Sequence, residues 1–268
     1  MIKKNENKFC SYCDFTGMIH NPGFNELGQD AIVPCPKCVV PKCKCGGVDP
    51  YYVYDGENIV PCFCRETRTK IQRIMNLYYS SGIEKKFRWK TFHDFEAGNK
   101  LAAAAKSAAY DLVMKFPDVT RGLYLWGNPG TGKTLLSSIV LTELIRQYAV
   151  PGRFVKISRH FFGLLKSTFN ENSDMYGQSS KIEKEFASVD ILVIDDFGVQ
   201  RNSEWEQETL YNLIDSRYDN EKFTIITSNN DPVKALKEIS GGRILSRIKE
   251  MCRIMELSGQ DYRERNID

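Results

Sequence analysis

This sequence contains no apolar run approaching the ~20 residues that cross a bilayer, and no apolar stretch follows its first eight residues, Met1 to Lys8. Secretion and membrane insertion are therefore not expected, and a cytosolic location is. Charge of one sign is equally scarce. The 37 basic and 34 acidic side chains leave a formal +3, too weak a field to argue for nucleic-acid binding without a local basic surface. There is no internal repeat and no low-complexity tract. Disorder of the whole chain is also excluded, because 42% apolar residues can bury enough surface to offset the entropy of ordering.

Cysteine is abundant, and in one place. Eight of the nine fall within residues 10–64 as four close pairs: Cys10/Cys13, Cys35/Cys38, Cys43/Cys45 and Cys62/Cys64. In a reducing compartment such pairs point to metal rather than disulfides. This segment is rich in Pro and Gly and poor in apolar periodicity, so two zinc sites of four thiolates each are expected to replace its missing core. Sequential pairing, 10/13/35/38 and 43/45/62/64, is the first expectation and an interleaved arrangement the second. An iron–sulfur cluster fits the ligand type but matches the spacing less well. His20 reads as a loop histidine rather than a ligand, and Cys252, alone beside an apolar run, as a buried thiol. The expected domains are residues 1–66 as a cysteine-rich zinc module, 67–95 as a linker helix and extended segment, and 96–268 as the larger domain. The linker helix rests on Ile71, Ile74 or Met75, and Tyr78 at helical spacing.

Past Arg121, short apolar runs alternate with amphipathic stretches. Residues 122–126, 154–157, 191–194, 223–226 and 253–257 are the strand candidates, which implies an α/β fold with a parallel sheet covered by helices on both faces. Between the first of these strands and a helical run from Leu135 to Tyr148 lies Gly127-Asn128-Pro129-Gly130-Thr131-Gly132-Lys133-Thr134, a complete G-x-x-x-x-G-K-[ST] phosphate loop. Its chemistry needs glycines so that N–H groups curl around phosphates at a helix N-terminus. Lys133 reaches the β/γ-phosphates, Thr134 offers its hydroxyl to Mg²⁺, and Leu135 closes the loop. The expected ligands are ATP and Mg²⁺.

The run 191–194 ends in Asp195-Asp196, which delivers carboxylates to the sheet edge where ligands bind. Asp195 is the candidate Mg²⁺ holder and Asp196 the group that polarises the attacking water. Asp196-Phe197-Gly198 also resembles a kinase magnesium motif, but no His-Arg-Asp loop accompanies it. Asn229, at the end of the run 223–226, either senses the γ-phosphate or serves as a turn residue. Arg243 and Arg247 lie four apart on one helix face, either as a solvated basic face or as a reach toward a neighbouring subunit's ATP.

In order and spacing these motifs resemble the DnaC/DnaI-type replicative helicase loaders, within the IstB/DnaC group of AAA+ ATPases. The resemblance rests on Ser81-Gly82-Ile83, Phe87, Thr91-Phe92-x-x-Phe95, the phosphate loop, Val193 to Gln200, Asp215-Ser216-Arg217-Tyr218, Thr227-Ser228-Asn229, Gly242-Arg243 to Ser246-Arg247, and Asp261-Tyr262-Arg263. It implies an AAA+ core without a C-terminal helical lid. It also implies Asn229 as sensor, Arg247 as a finger acting in trans with Arg243 as understudy, and self-assembly on ATP. The implied partners are a hexameric replicative helicase and single-stranded DNA, the latter held by the helix after the second strand, where Arg159, Phe161 and Lys166 are the candidates. Phe162 and Phe169 read as core. Asp196 stands where many AAA+ members have Glu, so hydrolysis is expected to be slow. Two other functions fit the motifs: an IstB-like transposase-associated DNA-remodelling ATPase, and a nucleotide-regulated adaptor with little hydrolysis.

Overall fold

The computed structural model describes residues 10–20, 32–198, 203–237, 242–259 and 261–262. Of the quoted motifs, Val199, Gln200 and Arg263 lie outside the described residues, as do Met1 to Lys8 and Gly241. The chain divides into two compact units, Met1–Asn76 and Leu77–Asp268.

The first unit is two small antiparallel hairpins, β1 (Met18–His20) with β2 (Ile32–Pro34) and β3 (Tyr52–Tyr54) with β4 (Ile59–Pro61). Its buried cluster is Cys13, Cys35, Val39, Tyr51, Cys62 and Cys64, so thiols occupy the positions that leucines fill elsewhere. The helix α1 (Arg65–Ser80) starts in this unit, and the division falls within it, after Asn76. Ile71, Ile74, Met75 and Tyr78 are its buried apolar positions, the helical spacing read from the sequence. Residues after it pack onto the second unit: the Phe154 N–H donates to Ser81 O, and Trp89 stacks on Tyr78 with ring centroids 3.8 Å apart.

The second unit is built on a five-stranded parallel sheet in the order β6-β7-β8-β5-β9. The strands are β5 (Gly122–Trp126), β6 (Gly152–Lys156), β7 (Ile191–Phe197), β8 (Phe223–Ser228) and β9 (Cys252–Glu256). The connecting helices are α2 (Lys100–Lys115), α3 (Lys133–Tyr148), α4 (Phe162–Ser167), α5 (Ser179–Ser188), α6 (Glu204–Asp219), α7 (Pro232–Leu236) and α8 (Arg243–Met251). Strand side chains alternate faces. Tyr124, Leu192, Ile194 and Ile226 pack with residues of α4, α5, α6 and α8, while α2 and α3 cover the other face. Asn99 starts α2 by accepting from the Ala102 N–H, a cap that satisfies one of the helix's orphan donors. Because β8 lies between β5 and β7, the ends of these three strands meet at one edge.

Candidate functional site

The β5–α3 turn is held open by backbone that only glycine tolerates. Gly127 has φ +144, and a Cβ there would stand 2.0 Å from Leu257 O. Lys133 opens α3 and is buried, its ammonium donating to Gly127 O at 2.8 Å and Asn128 O at 2.7 Å. Thr131 Oγ1 donates to Asn128 O at 2.9 Å. The loop is clasped from outside by contacts that sequence reading did not foresee. The Asp261 carboxyl lies against Gly130, the Tyr262 N–H donates to Gly130 O, and the Phe95 ring abuts Gly132. Tyr262 in turn joins residues 96–98 through Glu96 O and the Gly98 N–H. Asp261, Tyr262 and Phe95 stood in quoted motifs but carried no local signal, since each meets the loop only after folding.

Asp195 is wholly buried at the end of β7. Its Oδ1 accepts from Thr134 Oγ1 at 2.9 Å and Thr227 Oγ1 at 2.6 Å, whereas its Oδ2 is buried with no hydrogen-bond partner among the described residues. A buried carboxylate oxygen with free lone pairs, beside the phosphate-loop threonine, is what a hard divalent cation requires. Burial pushes this carboxyl above the usual range, opposed by the Thr227 hydrogen bond and reinforced by Asp196. Folded Asp195 therefore holds its proton more tightly than the unfolded chain does, and ionisation above the carboxylate range costs the empty protein stability. A cation at Oδ2 removes that cost. We expect Mg²⁺ to raise the melting temperature at neutral pH, by an increment that shrinks as pH falls into the carboxylate range; scanning calorimetry across pH measures it.

Asp196 is half-buried, with φ +58, where the β7–β8 register shifts between Ile194 and Phe197. A regular strand would send successive side chains to opposite faces, and the bulge breaks that alternation where two acids must serve one edge. Asn229 is exposed just beyond β8. Arg243 and Arg247 lie on α8 against α6. The Arg247 Nε donates to Asp215 at 2.8 Å with its guanidinium over Tyr218, and the Arg243 guanidinium lies over Tyr211.

The stretch after β6 requires a correction. It runs as a π-helical turn over Ile157–Phe161 before α4. Phe161 is fully buried, with its ring edge-on to Phe186, so it cannot stack on a base. Phe162 is core, as expected. Phe169 is not: α4 ends at Ser167, which leaves the Phe169 ring 63% exposed beside Trp205. Arg159 is exposed, and Lys166 pairs with Glu206 at 2.7 Å and lies over Trp205.

In the first unit the thiols gather as Cys10/Cys13/Cys35/Cys38 and Cys43/Cys45/Cys62/Cys64, the sequential pairing, with the sulfurs of each group within 4.8 Å of one another. Close sulfur–sulfur separations run from 3.4 Å for Cys43–Cys64 to 3.8 Å for Cys10–Cys35. Four sulfurs at ~2.3 Å from a tetrahedral ion stand roughly 3.8 Å apart, so the arrangement fits a single ion at each group better than the wider cage of a multi-iron cluster. Backbone N–H groups of Gly17 and Lys44 point at the Cys13 and Cys62 sulfurs. Crowding splits the second group: against a desolvation that raises it, Cys62 is drawn down to about 6 by backbone N–H groups, while burial and neighbouring thiols push Cys64 up to about 12. Cys252 is wholly buried and donates to Thr224 O.

A family model described as IstB-like ATP binding protein matches residues 64–268. The chain belongs to this family. The chain is also similar to proteins named for one activity. The replicative helicase loader DnaC of Buchnera aphidicola subsp. Baizongia pistaciae is 27% identical over 230 residues, 80% of this chain and 86% of that protein. Its namesake in Escherichia coli K12 is 26% identical over 188 residues, 69% of this chain and 72% of that protein. A crystal structure of the DnaC helicase loader superposes with TM-score 0.57 at 28% identity, covering 65% of this chain and 99% of that one. The crystal structure of DnaI gives TM-score 0.55 at 21% identity over 66% and 93%, a likeness of fold alone. This IstB-like chain is thus an ATP-binding AAA+ α/β protein, with a cysteine-rich unit preceding most of the matched region.

Proposed function

We propose that this protein is an ATP-hydrolysing loader that delivers a hexameric replicative helicase to single-stranded DNA. The observation that carries this reading is a complete phosphate-loop and acid-pair edge in a chain whose DnaC relatives align over 69–80% of its length. Lys133 leaves the carbonyls of Gly127 and Asn128 to hold the β/γ-phosphates. Thr134 and Asp195 hold Mg²⁺, which supplies charge neutralisation of the phosphates when bound. Asp196 accepts a proton from the attacking water, Asn229 contacts the γ-phosphate, and a neighbouring subunit contributes Arg247, or Arg243. Because Arg247 is paired with Asp215 on its own chain, its use in trans requires that pair to open or to share its guanidinium. The two four-thiol groups hold zinc and shape the unit that docks on the helicase. Single-turnover ATP hydrolysis with DNA and helicase present, comparing the parent with Asp196→Asn and Arg247→Ala, tests the chemistry; equal rates in all three would reduce the protein to a nucleotide-regulated adaptor.

The match to an IstB-like family model keeps a second reading open, an IstB-like transposase-associated DNA-remodelling ATPase. Pull-down of the tagged full chain with ATP separates the two. Retention of a hexameric helicase supports the loader, and retention of a transposase alone overturns it.

Exposed Arg159, together with Lys166 and Phe169 beside Trp205, supplies the basic-plus-aromatic chemistry of a single-strand contact. Phe169→Ala is expected to weaken binding of a fluorescent oligo-dT by about tenfold, from a stacking contribution of ~1–3 kcal/mol, without changing stability. Phe161→Ala should do the reverse, lowering stability by ~3–5 kcal/mol in a denaturant melt.

A further inference from the structure

We propose that Thr227 is a positioning residue that sets both acids of the site through one hydroxyl, and so ties them to the strand end that carries Asn229. This rests on the ATP-hydrolysis reading above. Thr227 is 1% exposed, at the end of β8, between β7 and β5. Its Oγ1 donates to Asp195 Oδ1 at 2.6 Å and accepts the Asp196 N–H at 3.1 Å. A hydroxyl has one proton and two lone pairs, so these two bonds use its only donor and one acceptor.

Each bond has a consequence. By engaging Oδ1, Thr227 fixes the rotation of the Asp195 carboxylate and leaves Oδ2, the buried atom with no hydrogen-bond partner among the described residues, as the oxygen for the cation. Thr134 also bonds Oδ1, but on the ATP-hydrolysis reading its hydroxyl would serve the ion as well. Among the described residues Thr227 Oγ1 makes no other hydrogen bond. The second bond satisfies the Asp196 N–H within the bulge, where the ladder to β8 shifts register and the residue adopts φ +58. A buried amide left unpaired there would relax the left-handed turn that directs Asp196. Since Asn229 is two residues farther along the same chain, displacement of the β8 end on contact with a γ-phosphate is transmitted to both acids through a single side chain.

The discriminating variants are Thr227→Val, Thr227→Ala and Thr227→Ser, the last keeping the hydroxyl; Ala carries the comparison where Val does not fold. In the full chain, loss of the hydroxyl is expected to lower kcat for ATP at least tenfold and to raise the Mg²⁺ concentration for half-maximal rate several-fold, with Ser close to the parent. Two readouts stand apart from turnover. Amide hydrogen exchange at Asp196 should accelerate at least tenfold in Val and Ala but not in Ser. The rise in melting temperature given by Mg²⁺ with a non-hydrolysable ATP analogue should shrink by half or more in the same two. If the parent hydrolyses ATP and Val or Ala matches it in kcat, Mg²⁺ dependence and Asp196 exchange, Thr227 has no such role while the ATPase reading stands. If the parent itself neither binds Mg·ATP nor hydrolyses it, the ATPase reading fails, and this inference fails with it.

Discussion

Stripping metal from the purified protein with a strong chelator at neutral pH is expected to unfold the cysteine unit while the thermal transition of the ATPase unit persists. The reason is what the first unit lacks. Its buried cluster holds two non-cysteine side chains, Val39 and Tyr51, and its strands are three residues long, so hydrophobic burial and ladder hydrogen bonds cannot hold it. A structural zinc contributes on the order of 10–16 kcal/mol of apparent folding free energy per site, far above anything else available here. Thiolates bind the ion and thiols do not, so acidification competes in the same direction: affinity falls as pH drops, and metal binding releases protons. Loss of amide protection over residues 32–64 with retained protection in β5, β7 and β8, read by hydrogen exchange after chelation, is the expected pattern. Unchanged protection in the metal-free protein would show that the thiols pack as a core without an ion. Two equivalents of zinc per chain by elemental analysis would assign both groups.

Much of the site was legible because its parts are local in sequence. The phosphate loop needs only a strand, glycines and a helix start, and the acid pair needs only an apolar run ending in carboxylates. Both were read at their observed positions, and the thiol grouping expected first is the one found. What escaped reading depends on distance along the chain or on a change of phase. Thr227 was quoted beside Asn229, but its bond to Asp195 spans 32 residues. Asp261 reaches Gly130 across an even longer gap. Phe161 and Phe169 exchanged their expected roles because the turn after β6 is π-helical and α4 stops at Ser167. A uniform 3.6-residue period, projected from Ser158 onward, assigns the wrong faces. Strand β6 likewise begins at Gly152, two residues before its apolar run, because the parallel ladder to β7 starts with Gly152 opposite Ile191.

Arg217→Met should lower stability by about 3–5 kcal/mol, since several buried acceptors are left unpaired at ~1–3 kcal/mol each, which for a unit of this size is roughly 10 °C in melting temperature. Arg217 is fully buried, and its guanidinium serves five acceptors: Thr224 Oγ1, and the carbonyls of Phe186, Ala187, Val189 and Phe223. Three of those carbonyls end α5, so one side chain on α6 caps a neighbouring helix and the start of β8 together. Burial presses the guanidinium's affinity for its proton downward, yet with each of its three nitrogens donating to an acceptor it stays charged. Methionine fills the volume and supplies no donor, which leaves buried carbonyls unpaired. Arg217→Lys is expected to be nearly as damaging, because an ammonium cannot span acceptors set around a planar fork. A denaturant midpoint for Arg217→Met within error of the parent's would refute the assignment. The comparison with Arg247 separates architecture from chemistry at two different contacts of α6. Arg247 is about one-third exposed, so losing its bond to Asp215 should cost ~1 kcal/mol or less, while multi-subunit ATP turnover falls sharply; Arg217→Met, at a temperature where it remains folded, should keep its turnover and lose only its melting temperature.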